Sequence, residues 1–436
     1  MPSLLRARSF FCALLTAGMG HFAIAKSLCV NPGGSSGCYS TIGAAVAAAS
    51  PNDQVDIGPG QYAEDVVINK PLSLIGSGAA STIINAHGLS NGIYIDGLDN
   101  GGLSSVLVHG LTVMNANFEG ILITNSSYVV ISNNVVTNND QSLNYAAQTC
   151  PGEPVFETSE GDDCGEGIHL VGSSFITVAN NEVDLNSGGI LLSDETGQNY
   201  DNLITSNSVH DNALDCGVTL ASHPPSPQAA STSPYGVFDN NIVDNTVTSN
   251  GLIGEGAGVG IFAAGPGNLT FGNRVIGNVI QNNGLPGVTI HNHAAPPGAP
   301  GVNLNGTVIM HNFISGNGAD TADATTPGTA GINAFSIAPV YALEILENTI
   351  QNEADDVVMN NPGGMDLHLN NLLGSGVGVA NTGMGSVNAS INYFGCATGP
   401  GTTGCTTVSG SSVVSTPPLA SQVATAPTAP APSSQP

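Results

Sequence analysis

The sequence predicts an all-β chain wound as a right-handed parallel β-helix, and three observations predict it. The first is composition: 57 Gly, no Trp, 41% hydrophobic residues and only 8% charged ones, so helix-favouring Lys and Glu give way to residues that suit a pleated surface. The second is a Gly followed by an apolar-x-apolar strand. It occurs at Gly92-Ile93-Tyr94-Ile95, Gly120-Ile121-Leu122-Ile123, Gly167-Ile168-His169-Leu170, Gly189-Ile190-Leu191-Leu192, Gly217-Val218-Thr219-Leu220, Gly287-Val288-Thr289-Ile290 and Gly331-Ile332-Asn333-Ala334. Alternation with period two places one face inward. The third is a file of asparagines at Asn134, Asn181, Asn207, Asn245, Asn278, Asn312, Asn348 and Asn371. Companions follow five residues later at Asn139, Asn186, Asn212, Asn250, Asn283 and Asn317, with Glu353 taking the place once.

Asn at one corner of every coil can bond to its equivalents above and below, which satisfies amides at a buried turn. Steps between coils range from 23 to 47 residues, so insertions must leave at fixed corners. The turns lack the Asn-Gly hairpin signature between paired runs. Coils therefore stack into parallel sheets around one continuous core, and the chirality of parallel crossovers sets the right-handed sense. About ten to twelve coils are expected.

The ends divide the chain into three parts. Residues 1–25 read as a signal peptide: Arg6 and Arg8 precede an apolar stretch that ends in Ala23-Ile24-Ala25, a small-x-small cleavage site. Residues 26–410 form the β-helix domain. Within it, the Ala-rich segment 40–49 is a short N-terminal capping helix with Ser40 or Thr41 as N-cap, placed to close the open end of the core. Residues 411–436, rich in Ser, Thr, Pro and Ala, read as a disordered tail.

Export accounts for the cysteines. Cys29 with Cys38, Cys150 with Cys164, and Cys396 with Cys405 form close pairs that would each staple a short loop in an oxidising compartment. Cys216 is left over and reads as a small buried core residue. Without Arg6 and Arg8, only Lys26, Lys70 and Arg274 oppose 32 acidic residues, a formal charge of −29. Such a surface repels nucleic acid and anionic membranes, and it disfavours polyanionic glycans unless a divalent cation bridges them. No later segment is long and apolar enough for membrane insertion. A secreted monomer, extracellular or periplasmic, is expected.

The capping helix, the Pro59-Gly60-Gln61-Tyr62 turn, the Lys70-Pro71-Leu72 strand ending in Gly76 and the Asn coils resemble the secreted right-handed parallel β-helix repeat proteins of the pectin-lyase-like superfamily. That group includes NosD-type periplasmic proteins and polysaccharide lyase-like repeats. The resemblance covers roughly residues 38–405. It implies binding or cleavage of an extracellular polysaccharide, an implication by analogy because the repeated residues are structural.

A β-helix can place chemistry without a contiguous motif. Coils lie about 4.8 Å apart, so carboxylates on adjacent coils stand roughly 5 Å apart, near the spacing of a retaining glycosidase pair. Insertions at 140–166, 193–202, 221–235 and 291–303 would wall a groove. In it, Asp163 and Asp194 are the expected catalytic carboxylates and His169 (pointing outward) or His210 the residue that orients a water. Asp162, Glu166, Glu195 and Asp211 are expected to bind substrate.

Three readings of function follow. A glycoside hydrolase uses the paired carboxylates. Asp162-Asp163-Cys164 is similar to the Asp-Asp-Cys of polygalacturonases, with Ser187-Gly188-Gly189 one coil later. The sequence departs from that family in lacking its His between the glycines, its Arg-x-Lys clamp and its Asn-Thr-Asp. A polysaccharide lyase or epimerase needs a base and a cation to stabilise the enolate, yet Lys70 and Arg274 lie far apart. A non-catalytic surface scaffold, adhesin or glycan-binding protein fits the scarcity of basic residues. Neutral glycans are preferred over uronates throughout. No cofactor and no metal site is assigned, although calcium held by Asp162, Asp163 and Glu166 is considered. His291-Asn292-His293, with His223 or His311, has metal-ligand character but reads better as a solvated loop.

Overall fold

A computed structural model describes residues 25–157, 164–227, 229–253, 256–292 and 301–430. Among these, parallel strands stack into sheets of 14, 12 and 11 strands, with a further ribbon of three. Each coil contributes one short strand to each large sheet, as the apolar repeat requires. Ile93, Ile121, Ile168, Ile190, Val218, Val259, Val288 and Ile332 stand one above another in register in the twelve-stranded sheet, all fully buried.

The recurring glycine sits where this sheet begins. A Cβ on Gly167 would overlap Val183 Cγ1 and Asn186 Nδ2, and one on Gly217 would overlap Val247 Cγ1 and Asn250 Nδ2. The glycine is thus required because a core methyl and a ladder amide already occupy its side-chain volume.

The asparagine ladders form as the spacing predicts. At the corner between the fourteen- and eleven-stranded sheets, the amides of Asn134, Asn181, Asn207, Asn245, Asn278, Asn312 and Asn348 each donate to the side-chain oxygen of the next member at 3.0–3.1 Å. The eighth member is Asn370 and not Asn371, and it hands on to Asn392 at 2.9 Å. Asn371 instead begins a strand and bonds Thr349 Oγ1 at 3.2 Å. At the next corner Asn139, Asn186, Asn212, Asn250, Asn283 and Asn317 repeat the pattern and end on Glu353 Oε1 at 3.2 Å. A third, shorter file runs Asn202, Asn240, Asn273. The residue before each ladder Asn turns the chain in the left-handed region, as at Asn133, Asn180, Ser206 and Asp244 with φ of 56–57°.

Both ends are closed. The helix Ile42–Ala48 buries Ile42, Ala45 and Val46 against the first coils, and Thr41 caps it by accepting from Ala44 N at 3.3 Å. Glu64 accepts from Ile42 N and Gly43 N at its positive end, both 2.8 Å. Lys70 Nζ donates to the carbonyls of Val46, Ala47 and Ala49 at its negative end, at 3.1–3.3 Å. Lys70 is therefore a capping cation.

At the far end the expected boundary at residue 410 is corrected. The segment beyond it continues the solenoid: Val413–Val414 pairs with the strand Ser386–Asn388. Ile391 N donates to Pro417 O at 2.7 Å, Leu419 N to Asn392 O at 2.8 Å and Val423 N to Asn371 Oδ1 at 2.8 Å. A chain poor in apolar residues docks here because the last coil leaves backbone groups that need partners. Of the expected signal segment 1–25, residues 1–24 lie outside the described residues.

The three expected disulfides are present, with Cα–Cα distances of 4.8, 5.2 and 5.2 Å, and Cys216 is free and buried. Among the described residues no helix is long and apolar enough to cross a membrane.

Asn207 accepts from both the backbone and the side-chain amide of Asn181, at 2.9 and 3.0 Å. Asn207→Ala orphans these two buried donors at roughly 1–3 kcal/mol each, so a loss of about 3 kcal/mol is expected. Thr246→Ala, on an exposed strand position, should change stability by less than about 0.5 kcal/mol. Urea midpoints of the two variants check the contrast.

Candidate functional site: a buried glutamate–histidine nest

Strand alternation places functional groups on the outer face of the twelve-stranded sheet. Ile168 and Leu170 enter the core and His169 points away from it, between Leu122 and Leu191 in register. Outward is not exposed here. The insertion held by the Cys150–Cys164 bridge folds back over the face, with Phe156 packed on Leu122 and Val171, and His169 is 3% exposed.

Beneath the insertion lies a cavity of about 10 Å³ lined by Glu119, Glu153, Glu157, Glu166, His169, Glu195 and His223, with Leu191 and the Cys164-Gly165 backbone. The positions follow from the repeat. Glu119 and Glu166 stand two residues before Ile121 and Ile168, which pair, so their carboxylates occupy the same place on neighbouring coils. Glu195 and His223 stand likewise two residues after Ser193 and Ala221, which pair.

His169 Nδ1 is 3.3 Å from Glu119 Oε1 and 3.7 Å from Glu166 Oε2, while its Nε2 meets Ser193 Oγ at 2.8 Å. His223 Nδ1 meets Glu195 Oε1 at 2.8 Å.

Electrostatics separates these carboxyls. Burial pushes Glu195 up, but the charge and hydrogen bond of His223, with His169 nearby, outweigh it and hold the group down at about 2. Burial, and then repulsion from Glu119, drives Glu157 well above the ordinary carboxylate range. Burial first and Glu119 second push Asp140 up to about 9, against a hydrogen bond from Cys164 N.

The structure redistributes the expected site residues. Glu166, Glu195 and His169 come together, but inside the nest, each at most 3% exposed. Asp194 is fully buried and accepts from Ser222 Oγ at 2.9 Å and His223 N at 2.8 Å, and also from Gly236 N, so it anchors the 223–236 loop. Its neighbour in sequence, Glu195, faces the cavity instead.

His210 and Asp211 belong elsewhere. His210 ends a strand of the eleven-stranded sheet and contacts Asp211 at 2.9 Å and Glu182 at 3.7 Å, on a different face from His169. Asp162, Asp163 and His293 lie outside the described residues. Glu119 went unnoticed in the sequence, although its place before Gly120 matches that of Glu166 before Gly167.

Two trios could hold a metal by proximity, each with ligand atoms within 4.8 Å of one another: buried Glu119, Glu166 and His169, and the more open Glu182, Asp184 and His210. Further along the twelve-stranded face, an open hollow of about 240 Å³ is lined by Leu285, His291 and residues 319–323, including Asp320 and Asp323. Phe262 packs beside His291 with ring centroids 4.6 Å apart. The three described Lys and Arg residues lie elsewhere: Lys26 precedes the strand Ser27–Val30 of the fourteen-stranded sheet, Arg274 begins another strand of that sheet, and Lys70 caps the helix.

A family model for the right-handed β-helix region matches residues 81–271. No curated protein sequence matches the chain. Among solved structures, the mannuronan C-5 epimerase AlgE4 A-module of Azotobacter vinelandii is similar at 13% identity and a TM-score of 0.52, covering 85% of this chain and 91% of that one. PfbA, a surface adhesin of Streptococcus pneumoniae, is 13% identical with a TM-score of 0.49, covering 80% of this chain and 83% of that one. The catalytic unit of a GH87 α-1,3-glucanase from Streptomyces thermodiastaticus is 13% identical with a TM-score of 0.41, covering 87% and 66%. At these identities the likeness is one of fold.

Folded Asp140 keeps a proton that the unfolded chain releases near 3.8. Its contribution to stability is therefore complete below that value and falls as pH rises, through a window from about pH 4 to about pH 9. Asp140→Asn should flatten the slope of melting temperature across this window and raise stability at its alkaline end. Thermal melts of the two proteins at several pH values check it.

Proposed function

We propose that this chain, a right-handed parallel β-helix of the pectin-lyase-like type, binds an extracellular polysaccharide along the outer face of its twelve-stranded sheet without cleaving it. The observation that carries this reading is the burial of the acidic groups. Glu119, Glu166 and Glu195 are at most 2% exposed and leave about 10 Å³ beside them, room for roughly one water, which disfavours their contact with a sugar ring. The accessible feature on the same face is the hollow at His291, which offers polar and apolar contacts of the kind that hold a sugar ring.

The ligand class follows from charge. The chain carries five basic residues against 32 acidic ones, and the hollow is flanked by Asp320 and Asp323, so neutral glycans are favoured over uronates. The same scarcity of cations disfavours β-elimination or epimerisation, which must stabilise an enolate. Three disulfides fit action outside the cytoplasm.

Hydrolysis is the second reading, favoured by one observation. Oxygens of Glu119 and Glu166 approach within 4.8 Å, close to the roughly 5–5.5 Å of a retaining pair.

Full-length protein on an array of neutral and uronate glycans, followed by reducing-end and unsaturated-product assays, tests these readings. Binding to neutral glycans with no new reducing ends is expected, and His291→Ala should weaken that binding about tenfold, the worth of one polar contact. Reducing ends that vanish in Glu166→Gln would establish hydrolysis instead. Absence of binding across the panel would overturn both readings.

A further inference from the structure

The nest gathers three buried groups of metal-ligand type, with one ligand atom each of Glu119, Glu166 and His169 within 4.8 Å of one another. His169 Nε2 lies 2.8 Å from Ser193 Oγ. When that nitrogen carries the ring proton, Nδ1 turns its lone pair toward Glu119 Oε1 at 3.3 Å and Glu166 Oε2 at 3.7 Å. A lone pair and two carboxylates then face one another, an arrangement that a shared cation resolves.

Two independent features mark the same point. The room there is about 10 Å³, that of one small occupant and too little for an organic ligand. Glu195, 2% exposed and lining that void, has its Oε2 without a hydrogen-bond partner.

We propose that the nest binds one divalent transition ion of the Zn²⁺ or Mn²⁺ class, through Glu119, Glu166 and His169 Nδ1, with Glu195 as a further donor. Carboxylates with one imidazole suit such an ion better than a soft, thiolate-seeking one. Ser193 holds the second ring nitrogen, which orients the ligand nitrogen toward the site. The ion would sit directly under the segment closed by Cys150–Cys164, joining neighbouring coils to the insertion above them. This assignment is independent of glycan binding, because its readout is metal content.

The test uses the full chain, stripped with a chelator and then titrated with Zn²⁺ and, as a visible probe, Co²⁺. Expected results are one equivalent bound per chain, a Co²⁺ absorption band, and a rise in melting temperature with metal. Glu166→Gln combined with His169→Ala should lose that equivalent. Ser193→Ala, which leaves every ligand in place, should weaken affinity by about 10–100-fold, and it reads the site even where the double variant fails to fold. Glu182→Gln with His210→Ala, at the open trio on the other face, should leave the equivalent unchanged. No binding by the native chain, full retention in the nest variants, or loss in the Glu182 and His210 variant would each overturn the proposal.

Discussion

The side-chain amide of asparagine is the group on which this solenoid rests. At each corner it donates to the next coil's oxygen and also to a carbonyl one coil back. Asn207 bonds Asn245 Oδ1 at 3.0 Å and Val178 O at 2.9 Å, and its own oxygen receives Asn181 from the other side. The residue before it, Ser206, is left-handed at φ 57°, a conformation that costs a residue with a Cβ roughly 1–2 kcal/mol. The ladder offsets that cost at every coil, and it satisfies polar backbone that the sharp corner would otherwise bury unpaired. Apolar stacking supplies most of the driving force; the amides decide where each coil bends and in what register the next one lies.

That division explains what could be read in the sequence. Apolar alternation, the obligatory glycine and the Asn file are repeated features, and repetition makes a weak local signal decisive. Even Glu353 was recognisable as a ladder member because it falls five residues after Asn348. The neighbouring choice between Asn370 and Asn371 failed because two adjacent Asn fit the pattern equally well. The docked segment after residue 410 was missed for a different reason: its contacts are backbone bonds to the last coil, which composition does not record.

The candidate site was legible in part. Period two correctly turned His169 away from the core, but exposure depends on what folds over a strand, and the covering insertion has no repeat of its own. Strand position alone did not say which sheet held His210. Asp194 and Glu195 illustrate how local the decision is. Burial leaves Asp194 raised to about 6, whereas Glu195, with His223 beside it, lies near 2. Adjacent carboxyls in the sequence therefore hold a loop in one case and form an ion pair in the other, and only the path of the backbone separates them.

The second Asn file has a direction. Each side-chain amide passes one hydrogen to the next member at higher residue number; the file starts where Ala116 N donates to Asn139 at 3.0 Å and stops at Glu353, which accepts from Asn317 but owns no side-chain amide to pass onward. Glu353 therefore works as a terminator, comparable to a chain-ending monomer in a growing polymer. Extra turns can be spliced anywhere between those two residues, provided each brings one asparagine, and the rod simply lengthens. Added beyond Glu353 they would find no donor waiting, so the span of this file is written into a single carboxylate.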